Sequence, residues 1–256
     1  MKEKIDLSSD VALVTGAAGG IGSAVAEELA KEGATTVVTD ISTEHGTDVA
    51  ERLDDEYEAT TVFRQLDVSD YADCEETIDG VVEEFGSIDI LVNVAAGGLR
   101  DHDDNKAFHE TTPEDWQIQY DVTFGGPVNT SHVAVQHMMD QESGAIVNFI
   151  SEAHKGQERG DNKLYAASKA GVAGFTKALS KEVGEFDIRV NGISPAATRT
   201  PATEELIDKY GDKMLQKYAL NRLGKPTDSA NAAVFLASDA AEWITGQVIS
   251  VNGGYS

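Results

Sequence analysis

Short apolar runs alternate with longer stretches whose apolar residues recur at helical spacing along almost the whole chain. VALVT (11–15), TTVVTD (35–40), TVFRQLDV (61–68), IDILVNVA (88–95), GAIVNFIS (144–151), IRVNGIS (188–194) and QVISV (247–251) read as strands. Helical periodicity fills residues 20–32, 43–56, 70–86, 113–139, 163–184 and 227–238. The strands are nearly continuous in apolar residues, which suits burial on both faces. Strand followed by helix, repeated, predicts an α/β fold: a doubly wound, seven-stranded parallel sheet with helices on both sides and right-handed crossovers.

With 256 residues and 41% hydrophobic content, the chain has enough material for one large core, and no repeat or linker interrupts it. Residues 1–256 are therefore read as a single domain. One long stretch, TRTPATEELIDKYGDKMLQKYALNRLGKP (198–226), stands outside the alternation. Its charged helical middle reads as a lid over a pocket or as a plain surface insertion. No apolar run approaches the length of a membrane span, and the N-terminal MKEKIDLSSD is polar, so a soluble, cytoplasmic protein is expected.

Charge changes the picture of the surface. Forty-five Asp and Glu against 20 Lys and Arg give a formal net charge of −25, spread over many helical segments. Such a surface is well solvated and repels itself in dilute salt, which points to a salt-rich cytoplasm and a halophilic source. Nucleic-acid binding is disfavoured because phosphate contacts need clustered cations. Cys74 is the only cysteine, which excludes an internal disulfide. The scattered histidines show no ligand spacing, and no metal is expected.

Candidate chemistry is concentrated where strands end. VTGAAGGIG follows the first strand and opens the first helix, and Gly16, Gly20 and Gly22 there permit a pyrophosphate to approach backbone amides at the helix's positive end. Asp40 closes the second strand at about the 20-residue spacing of a ribose-binding carboxylate. It would repel a 2′-phosphate, and no arginine immediately follows it, so NAD (NADH) is favoured over NADP; a strand-end turn cap is the plainer alternative. Asp67 ends the third strand, placed to meet adenine with Val68 beside it.

Tyr165 and Lys169 in LYAASKAG lie one helical turn apart on a face of small residues. A nearby ammonium favours phenolate, so the tyrosine pKa is expected to fall toward the working range of an acid–base catalyst. Ser151 ends the preceding strand, where its hydroxyl can polarise a carbonyl.

Taken together, the chain resembles the short-chain dehydrogenase/reductase family over essentially its whole length. Thr15–Gly22 match a T-G-x-x-x-G-I-G cofactor loop, Tyr165 and Lys169 a Y-x-x-x-K site, and IRVNGISP (188–195) and ITGQVISVNGG (244–254) the sixth strand and C-terminal turn. The resemblance implies a Tyr165 that exchanges a proton with substrate oxygen, a Lys169 that lowers its pKa and binds nicotinamide ribose, and a Ser151 that holds the oxygen. It also implies cofactor contacts at Ile21, Asn93, Ala95, Ile193, Pro195, Thr198 and Thr200, and a homotetramer. Three departures stand out: NVAAGG in place of N-N-A-G, Pro195–Ala196 in place of P-G, and Thr123 where a fourth catalytic residue, an asparagine that helps hold a relay water, is usual.

The implied activity is NAD-linked interconversion of a secondary alcohol and a ketone. The alternatives are a 3-oxoacyl-thioester (carrier-protein or coenzyme A) reductase and a non-catalytic NAD sensor. Substrate contacts are expected from Leu99, Arg100 and His102, from His154, Lys155, Arg159 and Lys163, and from the 200–220 stretch and Tyr255. The cations among them would hold an anionic substrate group or simply neutralise neighbouring acids such as Glu152.

Overall fold

The computed structural model describes residues 5–97, 107–156 and 163–255. Seven parallel strands, β1 (Val11–Thr15), β2 (Thr35–Asp40), β3 (Thr61–Gln65), β4 (Ile90–Asn93), β5 (Gly144–Phe149), β6 (Ile188–Pro195) and β7 (Val248–Val251), pair in the order β3-β2-β1-β4-β5-β6-β7. The chain winds outward from β1 in one direction and from β4 in the other. The turns after these two adjacent strands therefore open a crevice at the C-terminal edge of the sheet, the place where open α/β sheets bind ligands.

Strand alternation decides which helices cover which face. Ala12 and Val14 of β1, with Val38, Ile90, Val92 and Val147, pack against α1 (Gly20–Lys31), α2 (Thr43–Glu56) and α8 (Pro226–Ala237). Their neighbours Val11 and Leu13, with Val37, Leu91, Ile146 and Val190, face α3 (Tyr71–Phe85) and α5 (Gly126–Gln141). Both faces are thus buried, as the continuous apolar strands require. Local chemistry sets the ends of α3, whose first turn is capped by the Asp70 carboxylate accepting from the Ala72 N–H at 2.9 Å and which stops at Gly86 in the left-handed region, φ 91°. Arg189 of β6 donates to the carbonyls of Leu236, Ala237 and Ser238, satisfying the orphan acceptors at the end of α8.

The stretch expected as one helix over 113–139 is interrupted. α4 (Pro113–Ile118) leads into a π-helical turn, Gln119–Gly125, before α5 begins. Gly125, Gly126 and Pro127 sit at this junction, and Pro127 lacks the N–H that a continuous α-helix would use. The remaining helices are α6 (Lys163–Glu182) and α7 (Glu204–Leu215); α7 forms the charged middle of the 198–226 insertion. The two ends of that insertion are stitched together by Arg199 N–H to Gly224 O (3.0 Å) and Gly224 N–H to Ala197 O (3.0 Å). Among the described residues, no helix is long and apolar enough to cross a membrane.

Candidate active site

The glycine turn after β1 is shaped by close approach. Gly16 has φ 64°, and a Cβ there would stand 2.8 Å from Ala95 Cα, so Gly16 and Ala95 meet backbone to backbone. A Cβ on Gly22 would lie 2.1 Å from Gly16 O, which seats α1 directly on the turn. Gly19 caps α1 with no side chain, and no acidic residue occupies its first turn. The amides of the first turn of α1 therefore meet no acid from the helix itself, as a phosphate site requires. Gly20 faces Thr200, whose Cγ2 lies 3.5 Å from where a Cβ would be, so the insertion after β6 closes over the same turn. Ile21 packs its side chain into the core beneath.

Asp40 ends β2 beside this turn. Its Oδ2 accepts from the Ala18 N–H (3.1 Å) and its Oδ1 from the Ser42 N–H (3.0 Å), so the carboxylate both caps the following turn and braces the glycine loop. Lone pairs remain on both oxygens for further donors. Asp67 is exposed, with Oδ1 accepting from Ser69, while Val68 is buried beneath Gly126.

Asn93 braces the end of β4 through its side chain. Its side chain is only 1% exposed and fully engaged: Oδ1 accepts from Thr130 (2.7 Å) and Nδ2 donates to Asn148 (2.9 Å) and Ser131 (3.3 Å). It ties β4 to β5 and α5, leaving only backbone for a nucleotide. Thr198 is likewise turned inward, donating to Ala196 O at 3.0 Å. Thr15, by contrast, earns a place beside the predicted residues, because its Oγ1 accepts from both Val94 and Ala95 N–H and so holds the NVAAGG turn against the glycine loop.

Ser151, Tyr165 and Lys169 converge at the end of β5. The Ser151 hydroxyl is hydrogen-bonded to the Tyr165 phenol, and Lys169 Nζ lies 5.8 Å from the Tyr165 ring centroid. Lys169 is 2% exposed, and its ammonium donates to Phe149 O at 2.6 Å. Burial pushes the Lys169 ammonium down to about 8. For Tyr165 the direction differs from expectation. Burial raises the phenol above its usual value, with the Ser151 hydrogen bond only partly opposing, because the lysine charge is directed at a carbonyl rather than at the phenol oxygen. A phenol that keeps its proton at neutral pH is suited to donating it.

Thr123 lies in the π-helical turn, fully buried. Its hydroxyl donates to Gln119 Oε1 (2.7 Å) and accepts from the Gly97 N–H (2.9 Å). The wide turn also leaves Gln119 O available to the Ser168 hydroxyl (2.9 Å), immediately before Lys169 on α6. Gln119 was not singled out by sequence; a polar residue four places before Thr123 was its only signal.

Beyond Ser151 the chain makes a one-turn 3-10 helix, Glu152–Lys155. Lys155 Nζ pairs with Glu152 at 2.6 Å, so this cation neutralises an acid. His154 Nδ1 donates to Ser151 O at 2.6 Å. Leu99, Arg100, His102 and Arg159 lie outside the described residues. A cavity of about 540 Å³ opens between the ends of β6 and β7 and the segment after α7, lined by Ala196, Tyr218, Leu220, Ser250, Val251 and Gly253.

The architecture and much of the sequence are shared with known proteins. A family described as Enoyl-(Acyl carrier protein) reductase matches residues 16–256. The 3-oxoacyl-[acyl-carrier-protein] reductase FabG of Thermotoga maritima is 39% identical over 251 residues, 97% of this chain and 98% of that protein. Among solved structures, hydroxysteroid dehydrogenase from Escherichia coli superposes with a TM-score of 0.86 at 30% identity, covering 98% of each chain. A short-chain type dehydrogenase/reductase from Mycobacterium ulcerans reaches 0.91 at 25% identity, covering 98% of this chain and 90% of that one. With the glycine turn, the Ser151–Tyr165–Lys169 cluster and the seven-stranded sheet in place, the chain belongs to the short-chain dehydrogenase/reductase family.

Proposed function

We propose that the protein is an NAD(H)-dependent reductase of 3-oxoacyl thioesters, within the broader class of enzymes interconverting ketones and secondary alcohols. The carrying observation is the Ser151–Tyr165–Lys169 cluster beside a glycine turn, in a chain 39% identical to a 3-oxoacyl-[acyl-carrier-protein] reductase over almost its full length. The broader alcohol–ketone reading stood first on sequence alone; the relatives favour the thioester. A hydrogen-bonded tyrosine and serine beside a buried lysine weigh against a pure NAD sensor.

The residues present fit a dinucleotide. The glycine turn is a cradle that a Cβ at Gly16 or Gly22 would fill, the start of α1 carries no competing acid, and Asp40 offers acceptors to ribose hydroxyls. A bound nicotinamide supplies the hydride that reduces the carbonyl carbon. Ser151 donates a hydrogen bond to the carbonyl oxygen, and Tyr165 delivers its proton to that oxygen as it becomes a hydroxyl. Lys169, with a pKa of about 8, both takes up and releases a proton near neutral pH and reaches the backbone at Phe149, where it restores the proton to Tyr165 from solvent. Thr123 donates its only hydroxyl proton to Gln119, so the relay uses backbone and water rather than the Thr123 side chain. The negative Asp40 favours NAD over NADP, and exposed Ile41 beyond it offers no cation for a phosphate.

The insertion carrying α7 acts as a lid hinged at the Thr198–Gly224 bridge. The exposed apolar side chains of Tyr120 and Phe124, beside α6, support assembly into a homotetramer in a salt-rich cytoplasm. The test is oxidation of NADH and NADPH, offered separately in molar salt, against 3-oxoacyl-coenzyme A esters and neutral ketones, beside Tyr165→Phe. Thioester-dependent NADH oxidation that the variant loses supports the reading. A faster reaction with simple ketones, or with NADPH, overturns the corresponding part.

A further inference from the structure

Glu152 is a buried carboxylate that the chemistry above does not use. It follows Ser151 directly, is 6% exposed, and receives two hydrogen bonds, from Lys155 (2.6 Å to Oε2) and Ser250 (2.7 Å to Oε1). Burial alone would raise its pKa, but these donors outweigh it and hold the carboxyl below its usual value, so it is ionised at neutral pH. Lys155 also donates to Ser250 at 3.1 Å, closing a triangle of side chains. Ser250 lies on β7, so one carboxylate fastens the turn after β5 to the edge strand of the sheet.

That turn sets the geometry of Ser151. The Ala153 N–H donates to Ser151 Oγ at 3.2 Å, and the His154 N–H and Nδ1 both reach Ser151 O, at 2.9 and 2.6 Å. Every one of these contacts comes from the 3-10 turn that Glu152 begins. Among these contacts, the anchor from the turn to the sheet is the buried Glu152 carboxylate, paired with the exposed Lys155 and held by Ser250; a buried, hydrogen-bonded charge favours one geometry over others.

We propose that Glu152 is a positioning residue for the reaction: by tethering the 152–155 turn to Ser250, it holds the Ser151 hydroxyl on the Tyr165 phenol. The inference rests on the reading of Ser151 and Tyr165 as the groups that meet the carbonyl. It also gives the strand bordering the 540 Å³ cavity a direct link to the reacting hydroxyl, because Ser250 and Asn252 line that cavity.

The experiment compares Glu152→Ala, Ser250→Ala and the charge-free pair Glu152→Gln with Lys155→Met. Glu152→Ala is expected to lower kcat between about ten- and hundredfold, as a misplaced reacting group does, with the NADH Kd unchanged. Ser250→Ala, at an exposed position, should lower kcat about two- to tenfold, the worth of one hydrogen bond. The paired variant, which keeps an acceptor for Ser250 and leaves no unpaired charge, should stay within about threefold of wild type, since only geometry is required. A readout independent of turnover is the titration of Tyr165 followed by NMR of 13Cζ-labelled tyrosine, assigned with Tyr165→Phe. Loss of the Ser151 hydrogen bond in Glu152→Ala raises the Tyr165 pKa. Unchanged kcat in Glu152→Ala, or a Tyr165 titration that does not move in a folded variant, overturns the proposal. A wild-type protein inert toward every 3-oxoacyl thioester would instead sink the proposed activity, leaving the titration to judge the tether.

Discussion

Lys169→Met separates function from stability. The lysine is 2% exposed, and burial lowers its pKa from the usual 10.5 to about 8. That fall corresponds to about 3 kcal/mol of destabilisation whenever the group is charged in both folded and unfolded chains. The sign is fixed by linkage: between pH 8 and 10.5 the unfolded chain holds the proton and the folded one does not, so stability rises with pH across that window. Below pH 8 the penalty is present in full. Methionine keeps a stem of similar length and removes the charge, but it orphans Phe149 O, which now accepts at 2.6 Å; a buried acceptor left alone costs about 1–3 kcal/mol. The net expectation is a variant at least as stable as wild type at pH 7, by about 0–2 kcal/mol, or up to roughly 8 °C in Tm for a chain of this size. Turnover should fall by at least about a hundredfold. Thermal and urea unfolding at pH 7 and pH 10, at one fixed salt concentration, measure the difference. If Lys169→Met is less stable than wild type at pH 7, or if its advantage fails to shrink by pH 10, the assignment of Lys169 as a strained, burial-tuned ammonium is wrong.

Asp40→Ser should shift the ratio of NADPH to NADH use upward by about ten- to hundredfold in kcat/KM, since it removes the charge proposed to face the ribose; an unchanged ratio would return Asp40 to the role of turn cap. Thr123→Val, nearly isosteric, leaves the Gly97 N–H and Gln119 Oε1 without a partner and should cost about 1–3 kcal/mol in urea unfolding, while Thr123→Ser restores it and both retain turnover. Asp10 has its pKa raised to about 6, first by burial and then by the charges of Asp89 and Asp239. The folded protein therefore holds that proton up to about pH 6 while the unfolded chain releases it near 3.8, and stability is lost as pH rises between the two. Asp10→Asn should be the more stable form at pH 7, by up to about 1 kcal/mol after allowing for its partial exposure, and equal to wild type below pH 4.

Strands were the most legible elements, since β1 and β2 occupy the residues their apolar runs mark, and even the expected end of each later strand falls within a few residues of the observed one. Buried parallel strands leave an unbroken apolar signature. The glycine turn was legible for a related reason: close backbone approach admits no side chain, so the requirement is written directly as Gly16 and Gly22. Partnerships between distant polar residues were not. Nothing local to Asn93 announces Thr130 and Asn148, and nothing beside Ser151 announces Ser250, 98 positions beyond Glu152. The tyrosine pKa went the other way for the same reason, because the partner that the Lys169 ammonium chooses, Phe149 O, is a backbone atom without sequence identity.

The wide turn at Gln119–Gly125 carries a consequence for phase. An α-helix advances about 100° per residue, so the side chains before and after an inserted residue belong to two different angular frames. Upstream, that frame directs Trp116 to Thr111; downstream, it directs Thr130, Ser131 and Met138 at the sheet. One helix running straight from 113 to 141 could satisfy only one of these, so the extra residue lets the outer end of the segment keep its own facing while its inner end stays locked to β4. Removing a single residue between 119 and 125 would swing Thr130 roughly a quarter turn away from Asn93.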